Sequence, residues 1–150
     1  MTLKTYKPLR LMAADGEDIE IVSAVLQDSV LKVGDMAYVK AERRFALVAN
    51  RFVWEEGATK ENGPFIRVRT GIHFDDVTAV RARNIRQDAP SAVLSFLAAR
   101  FNAAEDGAGE ITLEFSGGGQ ILLEVESINA TLKDISEPWR TRNKPDHKVD

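Results

Sequence analysis

The sequence contains no cysteine, so it forms no disulfide, offers no thiolate to a metal and holds no cysteine nucleophile. Histidine is nearly as scarce: His73 and His147 are the only two, and a transition-metal site is not expected from them. No run approaches the roughly 20 apolar residues of a membrane span. Near the N-terminus Leu9, Leu11, Met12, Ala13 and Ala14 form an apolar group too short for the core of a signal peptide. A cytoplasmic protein without a membrane partner is therefore expected. Phosphate-loop, nucleophile-elbow, dinucleotide and zinc-helix motifs are all missing, and no cofactor is expected. The formal net charge is −3, with a pI of about 5.5. No overall field draws the chain to nucleic acid, which is not expected as a partner.

What is present is a 150-residue chain with 44% apolar and 29% charged residues, ordinary values for one globular domain. The stretch 34–55 organises it. Met36, Tyr38 and Val39 read as a short strand, Lys40 to Arg43 as a charged turn, and residues 44–54 as a longer strand. Every residue from Phe45 to Ala49 is apolar, the pattern of a central strand covered on both faces. Past Asn50 the pattern alternates, with Phe52 and Trp54 on one side and Arg51 and Glu55 on the other, so the far end is expected to emerge into solvent. Asn50, at the changeover, is expected to satisfy a bulge or a neighbouring backbone group.

Before this stretch, residues 9–13 read as a strand. Asp15 is an N-cap, with Glu17 and Asp18 in the first turn, for a helix over about 16–28 whose apolar stripe is Ile19, Val22, Val25 and Leu26. Residues 31–33 favour strand. After it, residues 65–74 and 77–85 read as two strands joined at a hairpin tip, Asp75 and Asp76. Arg67, Arg69 and His73 then share one face of the first, and Arg81 and Arg83 lie on the opposite face of the second. Asp88, Pro90 and Ser91 resemble a helix start, and Val93, Leu94, Leu97, Ala98 and Phe101 a buried helical stripe ending near Asn102. Alternation then marks a hairpin from Ile111 to Val125 that turns at Gly117, Gly118 and Gly119. The glycines lead into a strand, without the helix N-terminus of a phosphate loop. Beyond Ser127 the phase slips to Ile128, Ala130 and Leu132, which calls for a bend or bulge.

The expected fold is α+β: a largely antiparallel sheet with two helices packed on it. Residues 15–55 and 88–134 are expected to be two pseudo-repeated helix-hairpin units. Residues 1–139 form the domain, and 140–150 a mobile polar tail once Trp139 docks.

Charge is uneven along the chain. Residues 65–86 carry five arginines against two aspartates, net +3, and residues 105–137 eight acids against one lysine, net −7. Pairing of Arg81 and Arg83 with Glu114, Glu124 or Glu126 across strands is the structural expectation. His73, beside Asp75 and Asp76 and on a strand with two arginines, has the surroundings of a general base, though hairpin-tip aspartates commonly hold a strand histidine for structural reasons.

The residues Gln27-Asp28-Ser29-Val30, Gly34-Asp35-Met36-Ala37-Tyr38 and Glu42-Arg43-Arg44-Phe45-Ala46-Leu47-Val48, followed by Asn50-Arg51-Phe52 and Trp54-Glu55, are similar to a family of small bacterial proteins, the domain of unknown function 2948. Gly71-Ile72-His73-Phe74, the glycine triplet with Leu123-Glu124-Val125-Glu126, and Pro138-Trp139 extend the resemblance over nearly the whole chain. It implies a bacterial cytoplasmic protein of one compact domain, and it brings no activity and no catalytic residue. With no catalytic constellation, a non-enzymatic binding or interaction module is the leading functional expectation. Arg51, Trp54, Arg67, Arg69 and His73 are the candidate contact residues. The alternative is a small anionic-ligand binder or enzyme using His73 with Arg67 and Arg69. A protein partner, an anionic ligand and a homodimer through an edge strand all remain open.

Overall fold

A computed structural model describes residues 6–53 and 65–141. In it one sheet of eleven strands is built around a single α-helix. The strands are β1 (Arg10–Ala13), β2 (Val30–Lys32), β3 (Met36–Val39), β4 (Arg44–Phe52), β5 (Phe65–Phe74), β6 (Val77–Arg83), β7 (Val93–Ala103), β8 (Gly109–Phe115), β9 (Gln120–Val125), β10 (Ala130–Asp134) and β11 (Trp139–Thr141), and the helix is α1 (Gly16–Leu26). All the pairings are antiparallel, in the order β1-β10-β5-β4-β2-β7-β8-β9-β6, with β11 also on β5 and β3 also on β4.

Strand β4 is central, as its apolar run implies. One edge pairs with β5 from Phe45↔Phe74 to Phe52↔Arg67. The other is shared by β3 and, at Asn50, by β2. Phe45, Leu47 and Ala49 point into the core, while Ala46 and Val48 are half-buried on the other face. The end of β4 does not emerge: Arg51, Phe52 and Val53 are all buried. Helix α1 starts where Asp15 accepts the Asp18 amide at 2.9 Å, and it buries Ile19, Val22 and Leu26. It ends before Asp28, which sits in the left-handed region at φ 66.

Three expectations are corrected. The α+β fold with two helices gives way to an antiparallel β-sheet with one helix, because the expected second helix over residues 88–102 is strand β7. Its register with β8 shifts between Phe96 and Ala98. That irregularity moves the core-facing positions from Leu94 and Phe96 to Ala99 and Phe101, and one extra residue inside a period of two produces the three-residue spacing of a helical stripe. With no helix at its head, the second unit of the supposed repeat, residues 88–134, does not match residues 15–55. Finally, β5 and β6 are not a hairpin. The segment at Asp75 and Asp76 is a corner, after which β6 pairs with β9 alone among the described residues. Asp76 takes φ 60 there, its carboxylate accepts from Ser127 Oγ and Asn129 Nδ2, and its carbonyl from the Glu126 amide.

The hairpin β8–β9 forms as its alternation requires, turning through Gly117 and Gly118, both at positive φ. The phase slip near Ser127 is a bend at which the chain leaves β9 for β10, on the other side of the sheet order. The sheet curls until β6 returns beside β3 and β4: the Val77 amide donates to the Arg43 carbonyl, and the Tyr38 hydroxyl to the Val77 carbonyl, both at 2.9 Å. The main core is continuous from α1 through β4, β5 and β10 to the β7–β9 strands, and a smaller cluster of Val53, Ile66 and Val68 with Tyr6 lies apart from it.

Candidate functional site

Register fixes what each row of the outward face of this sheet displays, since residues directly paired across strands point the same way. Along β5 that face carries Arg67, Arg69, Gly71 and His73, in rows about 7 Å apart. Across the strands the rows read Trp139–Arg67–Phe52, then Arg69–Asn50–Val30–Ser95, then Arg10–Lys133–Gly71–Val48, then Met12–Thr131–His73–Ala46–Ala37. Ile135 leans over Gly71, where a Cβ would stand 3.8 Å from its Cδ1. Met12, Ile135 and Trp139, at 72%, 52% and 37% exposure, are thus apolar groups left in solvent on the face that also bears Arg10, Arg69 and Lys133. Among the described residues none of these three cations has an ion-pair partner.

The cations of the acidic half behave differently. Arg81 pairs with Glu110 at 2.8 Å, Arg100 with Glu114 at 3.3 Å and Arg43 with Glu126 at 2.6 Å. Cross-strand neutralisation is therefore real there, although Arg81 takes Glu110 in place of the expected Glu114, Glu124 or Glu126. Arg83 stays exposed opposite Gln120.

Of the five residues singled out from sequence, Arg67 and Arg69 fall in adjoining rows of the outward face. Arg69 is exposed and lines a cavity of about 290 Å³ with Lys32, Asp35 and Asn50, in the wedge where β2 and β3 part beside β4. Among the described residues the buried Oδ1 of Asn50 has no hydrogen-bond partner, and β4 runs through this position in unbroken register, so Asn50 supports no bulge. Arg67 lies over the Phe52 ring, 3.7 Å from its centroid, and donates to the Asn50 carbonyl at 3.0 Å. Burial pushes its guanidinium down to about 10 while the charge of Asp28 pulls the other way, so Arg67 remains a cation at neutral pH. His73 is a third exposed, with Nδ1 3.1 Å from Asp75 Oδ2 but outside hydrogen-bond geometry. Asp75 is held from its other oxygen by Arg44 Nε at 2.7 Å. This arrangement places the ring at the corner, beside Asp75 and Arg44. Trp54 lies outside the described residues.

Arg51 is not a contact residue at all. It is wholly buried at the end of the core-facing row of β4, and its Nε and one terminal nitrogen clasp the two oxygens of Asp134 at 2.9 and 2.8 Å. Thr70 Oγ1, the Tyr6 hydroxyl and the Leu9 amide donate to the same carboxylate. Burial raises the Asp134 pKa, but the bonds from Arg51, Tyr6, Leu9 and Thr70 together outweigh it and hold the carboxyl below its usual range. Sequence reading stopped its even-numbered apolar series at Leu132; one further step along the same face reaches Asp134. No comparable signal marks Arg10, Met12, Lys133 and Ile135, whose neighbourhood depends on which strands lie side by side.

No group of three histidine, aspartate or glutamate side chains is placed to hold a metal among the described residues, and no helix there is long and apolar enough to cross a membrane. A protein-family model described as "Protein of unknown function (DUF2948)" matches residues 9–147. The chain belongs to that family. No curated protein and no solved structure matches the chain. The matched span holds the whole sheet of this chain from β1 to β11, all four rows of the outward face, and the Arg51–Asp134 pair.

Proposed function

We propose that the protein is a non-enzymatic interaction module and that the outward face over β1, β10, β5 and β11 receives an acidic, partly apolar surface of a protein partner. The observation that carries this reading is the adjacency of cations without an ion-pair partner among the described residues (Arg10, Arg69, Lys133) and solvent-exposed apolar side chains (Met12, Ile135, Trp139) on one face of the sheet. An arginine- and tryptophan-bearing patch rimmed by charge is the composition of a binding surface. Geometry weighs against the alternative in which His73, Arg67 and Arg69 act on one small ligand. Four residues of strand separate His73 from Arg69 by about 14 Å, and six separate it from Arg67 by about 20 Å.

The test is affinity co-purification from the native host, comparing the natural protein with Arg69→Glu/Lys133→Glu and with a control, Arg83→Glu, on the opposite half. A stoichiometric protein that is lost in the double variant, kept in the control and weakened by salt supports the reading. Retention of every partner by the double variant sinks it, as does an eluate containing nucleic acid or nothing. A small anion seated by Arg69 and Lys32 in the cavity at Asn50 is the second reading. A thermal-shift series with anionic metabolites against Arg69→Glu separates it from the first.

A further inference from the structure

The chain segments around β3 and β6 touch at both ends and part in the middle. At one end the Val77 amide meets the Arg43 carbonyl and the Tyr38 hydroxyl meets the Val77 carbonyl. At the other, the Gly34 amide donates to the Pro90 carbonyl and the Val33 amide to the Ala92 carbonyl, both at 2.9 Å. Between these pins no ladder joins the two strands: among the described residues β3 pairs only with β4, and β6 only with β9. The eye that remains is a cavity of about 300 Å³ whose floor is core, Phe45 and Ile121, and whose walls include Met36, Val80, Ala82 and Ile85. Among the described residues no carboxylate, ammonium, guanidinium or imidazole lines it. The one phenol on its wall, Tyr38, is committed to Val77, which leaves Gln87 at the rim as the single side-chain amide.

We infer that this opening in the curled sheet is a binding site for a small neutral apolar molecule carrying at most one or two hydrogen-bonding groups. The chemistry of the wall selects the class. An anion or cation entering it would leave water without meeting a counter-charge, whereas an uncharged apolar ligand replaces water against a surface already open to the core. The pinned ends limit what can enter. An extended peptide laid between β3 and β6 would have to run through the Arg43–Val77 or Gly34–Pro90 contacts, so the occupant is a compact molecule and not a strand. This site is independent of the outward face, since it opens between other strands and carries none of its cations.

The experiment uses the whole chain and two probes of similar shape, neutral N-phenyl-1-naphthylamine and anionic 1-anilinonaphthalene-8-sulfonate. Saturable, one-to-one fluorescence enhancement is expected with the neutral probe, with the anionic one at least roughly tenfold weaker. Ala82→Phe, which fills the eye from β6, is expected to weaken the neutral probe by roughly tenfold or more, while Met12→Glu/Ile135→Glu on the outward face leaves it unchanged. In the natural protein, titration with the neutral probe is expected to shift the methyl resonances of Met36, Ile85 and Ile121. That readout needs no variant and decides the matter if Ala82→Phe fails to fold. Shifts confined to Met12 and Ile135, equal affinity for both probes, or no enhancement would overturn the assignment.

Discussion

Replacing Asp134 by alanine should be among the most damaging single changes available to this protein. Arg51 is completely buried, and Asp134 supplies the counter-charge to two of its nitrogens. Removing one partner of a buried ion pair costs about 3–5 kcal/mol. Tyr6, Thr70 and the Leu9 amide lose their acceptor at the same time, which argues for the upper part of that range. In a domain of this size such a loss corresponds to a fall in Tm of roughly 10 °C or more. Urea unfolding monitored by circular dichroism measures it. The double variant Arg51→Met/Asp134→Leu should recover much of the loss, because two apolar side chains need no counter-charge. Acid adds a second readout. The folded-state pKa of Asp134 is lowered, so its stabilisation is complete above the ordinary carboxylate value near about 4 and disappears as pH falls through the lower folded value. Asp134→Asn should flatten that part of the stability–pH curve. A cost below about 1 kcal/mol for Asp134→Ala, with an unchanged acid limb, would refute the reasoning.

The helix cap and the glycines give further predictions. Asp15→Ala removes the acceptor for the Asp18 amide and should cost about 1 kcal/mol in urea unfolding; no measurable change would mean that the cap is replaced by water. Gly109→Ala places a Cβ 2.4 Å from the Asn102 carbonyl oxygen and 2.6 Å from the Phe101 ring, a steric conflict expected to cost about 1–3 kcal/mol. Gly107→Ala has open space around it and only the backbone strain of φ +82, so about 1 kcal/mol is expected and the urea midpoints should rank Gly109→Ala below Gly107→Ala.

The candidate surface was legible only in fragments. Arg67, Arg69 and His73 follow from alternation along one strand, and they do share the outward face. Their companions Arg10, Met12, Lys133, Ile135 and Trp139 come from strands far away in sequence, and nothing local says that β10 and β1 lie beside β5. Arg51 shows the opposite failure. Alternation gives its direction relative to Phe52, and a charge on that side reads as solvent-facing. Asp134, 83 positions along the chain, meets it there, and the side is interior.

Sequence alone determined the elements whose signals are local and mutually consistent. These are α1 with its Asp15 cap, the charged turn after β3, the central apolar strand β4, and the β8–β9 hairpin with its glycines at positive φ. It also determined the absence of cysteine chemistry. Tertiary structure decided the rest. An irregularity between Phe96 and Ala98 gives a strand the spacing of a helix, and the pairing of Val93–Ala103 with β2 and β8 satisfies its backbone as strand. The corner at Asp75 and Asp76 sends β6 to β9 because the partners of its bonds, Asn129, Ser127 and Glu126, lie 50 or more residues onward. Periodicity reports which way a side chain points along its own strand; which strand comes to lie against it depends on contacts distant in sequence, and those fixed both the surface and the opening between β3 and β6.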